Sequence, residues 1–334
     1  MATKIAINGF GRIGRCAARI ISNRSDVELV AINDTAKRDL TRYLLQYDTV
    51  HGEFDKKVEI LNDDYILING KKIRVYSTRD LNEIDFASFG AEVVLECTGS
   101  FLTTPKCEHY LKNGIKKVVM SAPAKDDTPT FVMGVNHKTY NGQDIISNAS
   151  CTTNCLGPVA KVIDDMLGIE KGLMTTIHAY TNGQSLVDVK CRDFRRSRAA
   201  ACNIIPTTTG AAKAINLVLP QLKGKMHGQS VRVPVPNVSM VDLNVVTLKN
   251  TSIEELNAEF CRRSKTDMNG ILFVDEDQRV SSDFCTNSYS SIVASDLTQV
   301  ICGNLIKVMS WYDNEWGYSN RLIDLAVFAN NFKG

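Results

Sequence analysis

The chain has 334 residues, 44% hydrophobic and 23% charged, which excludes a disordered or fibrous polymer and leaves room for about two globular domains. Lys and Arg number 39 against 37 Asp and Glu, a formal net charge of +2 at pH 7, and the two signs are interspersed. No basic stripe or tail argues for nucleic acid or an anionic membrane surface, so small molecules and further copies of the chain are the expected partners. The ten cysteines lie scattered from Cys16 to Cys302 without a CxxC pair, and no apolar run reaches the ~18 residues that span a bilayer. With no secretory signal ahead of Thr3, the expectation is a cytoplasmic protein with reduced thiols and no metal.

In chain order, residues 4–7 form a short apolar strand, which Asn8-Gly9-Phe10-Gly11-Arg12-Ile13-Gly14 turns into a helix with apolar positions at Ala17, Ala18 and Ile21. Residues 27–32 read as a second buried strand, and Asp34 closes it about 20 residues after Gly14. Further buried strands are predicted at 93–95, 118–120 and 145–146. Apolar runs of this kind, alternating with helical segments, predict an α/β fold with a Rossmann-type, doubly wound, largely parallel sheet. After about residue 150 the pattern changes. A helix with Cys151 in its first turn is predicted to run on to Leu167, with strands over 172–179, 230–235 and 241–248, a helix over 211–217 and a terminal helix over 318–332, which together suggest a second, α+β domain. The polar, basic loop 181–200 is longer than an ordinary connection, which marks it as functional or interfacial.

Three constellations carry chemistry. The GxGxxG turn follows a strand, opens a helix and has its acidic residue at the expected distance, a dinucleotide-binding arrangement. Gly9 permits the tight turn, Gly11 lets the backbone approach a pyrophosphate, Gly14 allows close helix packing, and Asp34 can accept from an adenosine ribose. Cys151, at the first turn of a helix, has the N-terminal N–H groups and dipole to stabilise a thiolate, whereas Cys155 lies one turn further in and reads as a small buried hydrophobe. His178, where a strand meets the polar loop, is the histidine placed to pair with that thiol. The third constellation is a set of anion donors: Ser150 and Thr152 flank the cysteine, Thr209 and Gly210 precede the helix at 211, and Arg196 and Arg232 add planar cationic forks.

The stretches IAINGFGRIGR, SNASCTTNCLGP, TIHAYTN, RRSRAAACNIIPTTTGAAKA, RVPVPNVSMVDL and SWYDNEWGYSNR are long and specific. On them the chain resembles the phosphorylating glyceraldehyde-3-phosphate dehydrogenases over essentially its whole length. The resemblance implies a dinucleotide-binding domain of residues 1–150, rejoined by a C-terminal helix (315–334), a catalytic domain over 151–314, and a homotetramer. It implies oxidation of glyceraldehyde 3-phosphate with NAD(P) and inorganic phosphate to 1,3-bisphosphoglycerate through a cysteine thioester, in glycolysis or gluconeogenesis. By position it assigns Cys151 as nucleophile and His178 as base. Arg12, Ile13, Asp34, Arg79 and Ser121 match coenzyme contacts, with Asn314 at the nicotinamide carboxamide and Tyr318 near the ring. One phosphate site matches Thr181, Arg196 and Arg232, the other Ser150, Thr152, Thr209 and Gly210.

Two positions depart from the family pattern. Gly183 stands where many members have an acidic residue, and Lys190 stands where many NAD-using members have proline. Asp34 argues for NAD by repelling a 2′-phosphate, yet Thr35 can donate to such a phosphate, and the resemblance places Lys190 on a loop that reaches a neighbouring subunit's adenosine. The expectation is NAD use with appreciable acceptance of NADP; the alternative is a solvated Lys190 with no part in coenzyme choice. The competing functions are an erythrose-4-phosphate dehydrogenase of the same family, and a thiol acyltransferase or binding protein on a structural nucleotide fold.

Overall fold

The computed structural model describes residues 2–191 and 193–333. Two compact units emerge, one of residues 1–131, 137–149 and 319–334, the other of 132–136 and 150–318. Among the described residues no helix is long and apolar enough to cross a membrane.

The first unit runs β1 (Thr3–Asn8), α1 (Arg12–Ile21), β2 (Val27–Asn33), α2 (Arg38–Gln46), a minimal hairpin of β3 (Tyr47–Asp48) and β4 (Gly52–Glu53), then β5 (Val58–Asn62), β6 (Tyr65–Ile68), β7 (Lys71–Tyr76), β8 (Val93–Glu96), α3 (Thr104–Lys112), β9 (Lys117–Met120) and β10 (Ile145–Ser147). Its main sheet has the order β10-β9-β8-β1-β2-β7-β6-β5. Pairing is parallel from β10 across to β7 and antiparallel from β7 through β6 to β5. Successive residues of β1 and β8 are buried on both faces, Ile5 to Ile7 and Val93 to Leu95 all at 0% exposure, as a parallel sheet covered on both sides requires. One of those faces carries Ala6, Val94, Val118 and Met120 against Phe86 and Tyr110.

The antiparallel arm β5–β7 is absent from the sequence reading, although its signal is local. Asn69-Gly70 separates two alternating apolar runs, and both residues have left-handed φ (50° and 76°), the conformation a two-residue hairpin turn demands. Helices α2 and α3 were likewise not predicted; each is only 9 residues long, too short for a clear helical period.

The second unit contains α4 (Cys151–Leu167), β11 (Ile169–Ala179), β12 (Ile205–Thr208), α5 (Ala211–Val218), β13 (Met226–Val233), β14 (Ser239–Thr247), α6 (Ile253–Ser264), β15 (Leu272–Asp275), β16 (Ser291–Ala294), β17 (Gln299–Ile301), β18 (Leu305–Tyr312) and the start of α7 (Trp316–Asn331). The sheet order is β12-β13-β11-β14-β18-β16-β15, with β17 on β18. Every second residue of β14 is buried, Ser239 through Thr247, the period of a strand with only one face in the core. Against that face lies α4, burying Leu156, Val159, Ala160, Val162 and Ile163. Strand β13 ends at Val233, two residues short of the predicted limit, because Pro234 has no N–H for the ladder.

Candidate active site

In the first unit, β1 is the point where the strand order reverses, with β2 on one side and β8 on the other. The crevice outside the carboxyl ends of such strands is where open α/β sheets bind ligands. A cavity of about 560 Å³ sits there, lined by residues that follow β1, β2, β7 and β8, among them Gly9, Gly11, Asp34, Thr35, Arg79 and Thr98. Gly9 has φ +92°, and a Cβ there would lie 2.6 Å from the Thr98 amide nitrogen. A Cβ on Gly14 would lie 2.2 Å from the Gly9 carbonyl oxygen, so the α1 start is pressed onto the turn. Gly11, by contrast, meets no protein atom within 4 Å; the space its missing side chain leaves belongs to the cavity. As N-cap of α1 it also provides no side-chain cap, which leaves first-turn N–H groups for an anion.

Asp34 accepts from the Ala36 amide at 3.1 Å and the Thr41 hydroxyl at 2.7 Å, which orients its carboxylate at the cavity wall. Arg12 is forked onto Asp48 by both terminal nitrogens. Burial pushes the Asp48 carboxyl up, but Arg12 and the amides of His51 and Val50 outweigh it and hold it at about 2. Ile13 is half-buried in the first turn of α1. Ser121 is also half-buried, its amide donating to the Glu96 carbonyl. These donors, the glycine-shaped opening and the acidic residue fit a dinucleotide. Glu96, the buried acid that ends the apolar strand β8 and lies beneath this cleft, carries no mark in the sequence beyond its place at a strand end.

In the second unit, Ser150 caps α4, its hydroxyl accepting from the Thr153 amide at 3.1 Å, so Cys151 is the first helical residue. Its Sγ lies 3.6 Å from His178 Nε2. Parallel pairing of β11 with β13 sets His178 opposite Arg232, and β12 sets Ile205 on the other side of the same arginine. Arg232 Nη1 is 2.7 Å from His178 Nδ1 and donates to the Ala179 carbonyl at 3.0 Å; Nδ1 is also 2.7 Å from that carbonyl. A neutral ring has one proton to place. Donated from Nδ1 to Ala179, it leaves Nε2 to accept from the thiol; with Arg232 donating to Nδ1, it sits on Nε2.

Burial, then the Arg232 charge, pushes the His178 imidazole down to about 3, against the opposing Ala179 carbonyl. Burial also pushes the Cys151 thiol up, against Arg232 and the Thr152 hydroxyl and amide. Desolvation thus opposes the charge-stabilising helix terminus at Cys151 and favours the uncharged imidazole at His178.

Arg196 donates to the Thr207 hydroxyl at 2.9 Å and its charge acts on both His178 and Arg232. Thr209 accepts from the Ala211 amide at 3.1 Å, and Gly210 stands at the uncapped N-terminus of α5. Thr181 is exposed two residues beyond β11. Thr152 is only 4% exposed, and its hydroxyl is shared with Tyr312 at 2.9 Å, so it faces inward; Tyr312 also meets the Thr176 hydroxyl at 2.8 Å. Tyr312 lies in the SWYDNEWGYSNR stretch, but no local pattern marks its hydroxyl as the partner of Thr152 and Thr176. Asn314 is buried, its Oδ1 accepting from Ser239, whose oxygen in turn accepts from the Ala179 amide. Tyr318 is buried in the first turn of α7, and Gly183 and Lys190 are exposed in the loop after β11.

Residues 3–104 match the family profile described as glyceraldehyde 3-phosphate dehydrogenase, NAD binding domain, and residues 150–314 that described as the C-terminal domain of the same family. Among curated relatives, glyceraldehyde-3-phosphate dehydrogenase 1 of Bacillus cereus is 50% identical over 331 residues, covering 98% of this chain and 99% of its own length. Glyceraldehyde-3-phosphate dehydrogenase A of Escherichia coli (strain K12) is 49% identical over 328 residues, covering 98% and 99%. The chloroplastic form B of Pisum sativum is 49% identical over 338 residues, covering 99% of this chain and 75% of its own. The chain belongs to the glyceraldehyde-3-phosphate dehydrogenase family.

Proposed function

We propose that the chain oxidises glyceraldehyde 3-phosphate to 1,3-bisphosphoglycerate, using NAD and inorganic phosphate, through a thioester on Cys151. The observation that carries this reading is the thiol at the start of α4, 3.6 Å from an imidazole beside a half-buried arginine. An aldehyde does not readily expel hydride, whereas a thiohemiacetal does. Cys151 Sγ adds to the aldehyde carbon as His178 Nε2 takes the thiol proton, and the tetrahedral oxygen is held by neighbouring donors. NAD, when bound, supplies the hydride acceptor. His178 lends the thiol proton to the tetrahedral oxygen, giving the thiohemiacetal hydroxyl, and takes it back as the thioester forms. Phosphate attacks the acyl carbon, and Cys151 leaves with a proton returned by His178.

Thr181, Arg196 and Arg232 are the proposed donors of one phosphate site, and Ser150, Thr209 and Gly210 of the other, where the inward-turned Thr152 hydroxyl is held by Tyr312 instead. Drawing the Arg232 guanidinium onto a substrate phosphate frees Nδ1 to donate to Ala179, the tautomer in which Nε2 can act as base. In the first unit, Gly9, Gly11, Arg12, Ile13, Gly14, Asp34, Arg79 and Ser121 are the proposed coenzyme residues, and in the second Asn314 and Tyr318. The proposed organisation is a coenzyme domain of residues 1–150 rejoined by the C-terminal helix, a catalytic domain between them, and a cytoplasmic homotetramer. Association is supported by the loop after β11, where Leu186 and Phe194 are 82% and 92% exposed, apolar surface that a further copy would cover. A spectrophotometric assay with the aldehyde, phosphate and each coenzyme tests the activity; no phosphate-dependent coenzyme reduction would overturn it. Sedimentation tests the assembly, which a monomer at micromolar concentration would refute.

A further inference from the structure

We propose that Glu96 is a positioning residue that sets the shape of the coenzyme cleft, as the single acceptor at which two hydrogen-bond chains from its opposite walls converge. The inference rests on the coenzyme reading above. Glu96 is fully buried at the end of β8. One oxygen accepts from the Thr98 amide at 2.8 Å and from the Thr98 hydroxyl. The other accepts from Asn8 Nδ2 at 2.7 Å and the Tyr110 hydroxyl at 2.9 Å. Asn8 Oδ1 in turn accepts from Asn33 Nδ2 at 2.8 Å. Asn33 closes on the Thr78 backbone, donating to its carbonyl at 3.0 Å and accepting from its amide at 3.2 Å.

Four of these residues, Asn8, Asn33, Thr78 and Thr98, line the cavity, one at or after the end of each of the four strands that form it. The chain of donors has a fixed direction because both ends are backbone. At Thr78 the Asn33 amide fits one way only, since turning it over would set N–H against N–H and oxygen against oxygen. That orientation fixes Asn8, which must then donate to residue 96. From the other side the Thr98 N–H can only donate. Residue 96 must accept at both oxygens, which an ionised carboxylate does as it stands, a carboxylic acid does only by turning its O–H onto the Tyr110 hydroxyl, and a carboxamide cannot do. Burial pushes the carboxyl up, and the bonds from Thr98, Asn8 and Tyr110 oppose it.

A mismatch here reaches the cleft directly. The β1 and β8 ends are already in backbone contact at Gly9 and Thr98, which leaves no slack to absorb it. In Glu96→Gln the amide group sets a donor against either the Thr98 N–H or Asn8 Nδ2. The double change Asn8→Asp with Glu96→Gln moves the acceptor one residue along. The new carboxylate at position 8 accepts from Asn33 and from the new carboxamide at position 96, whose oxygen still accepts from Thr98.

The experiment is direct NAD binding by calorimetry in the wild type, the single and the double variant, together with turnover at saturating NAD and thermal unfolding without coenzyme. Glu96→Gln should weaken NAD by about tenfold or more, the scale of one buried opposed pair, with turnover at saturation changed less than the dissociation constant. The double variant should bind more tightly than the single one. A merely structural role would lower thermal stability in both variants without that rescue. Unchanged NAD affinity in Glu96→Gln overturns the proposal, as does a double variant no better than the single, including the case where neither folds. A wild type that binds no NAD would instead overturn the coenzyme reading itself.

Discussion

Adding one carbon at Gly14 and at Gly11 should separate the two jobs of the glycine turn. At Gly14 the new Cβ would lie 2.2 Å from the Gly9 carbonyl oxygen and 3.2 Å from its carbonyl carbon, so helix α1 and the turn must move apart by about 1 Å to restore an ordinary contact. The obstacle is backbone, which cannot rotate away as a side chain would. Overpacking of this kind costs about 1–3 kcal/mol, and the helix propensity gained by Ala over Gly returns at most about 1 kcal/mol. A net loss of about 1–2 kcal/mol lowers Tm by roughly 2–8 °C at this domain size, and coenzyme affinity falls with it because Gly9 lines the cleft. At Gly11 no protein atom lies within 4 Å of the added carbon, so Gly11→Ala should keep its Tm and lose NAD affinity alone, the methyl group entering space meant for the ligand. Calorimetric unfolding without coenzyme and titration with NAD read the two effects. An unchanged Tm in Gly14→Ala, or unchanged NAD affinity in Gly11→Ala, would refute the reasoning.

Replacing Cys151 by Ser should abolish aldehyde-dependent coenzyme reduction while leaving NAD titration unchanged; near-normal turnover would remove the thioester from the mechanism. His178→Asn should depress turnover by about 10²-fold or more, the scale of a lost general base, and kcat measured at saturating substrates checks it. The same residue predicts a pH effect on stability. With its imidazole pushed down to about 3 in the folded state, His178 stays neutral when the unfolded chain's histidine protonates, so its contribution is full above pH ~6.5 and lost as pH falls toward 3. Unfolding free energy should therefore fall with acid by up to about 1.4 kcal/mol per pH unit from this group, and His178→Asn should flatten that slope between pH ~6.5 and 4. Lys190→Pro should shift the NADP-to-NAD ratio of kcat/KM toward NAD; an unchanged ratio would leave Lys190 as a solvated side chain.

What could be read from sequence was local. A glycine turn between an apolar strand and a helix imposes its own backbone, so α1, β2 and Asp34 could be placed from residues 4–34 alone. Ser150 before Cys151 is a cap within three residues of what it caps, a local feature, and Cys151 could be placed in the first turn of α4 from the residues around it. The Asn69-Gly70 hairpin is equally local, a two-residue turn between alternating runs. Family membership too was carried by sequence, because the matching stretches run from one end of the chain to the other.

Tertiary structure decided everything that depends on register or on desolvation. That Arg232 stands beside His178 follows from the parallel pairing of β11 and β13, whose strands are about fifty residues apart in sequence and carry no mark of their alignment. The electrostatics of the Cys151–His178 pair also depend on packing, because the helix terminus is visible in a motif and the burial that opposes it is not. Thr152 looked like an open hydroxyl until Tyr312, 160 residues away, was placed against it. Glu96 looked like the end of a strand, and its part in the cleft exists only once four strand ends are brought together, since a donor chain that crosses a sheet has no period along the sequence.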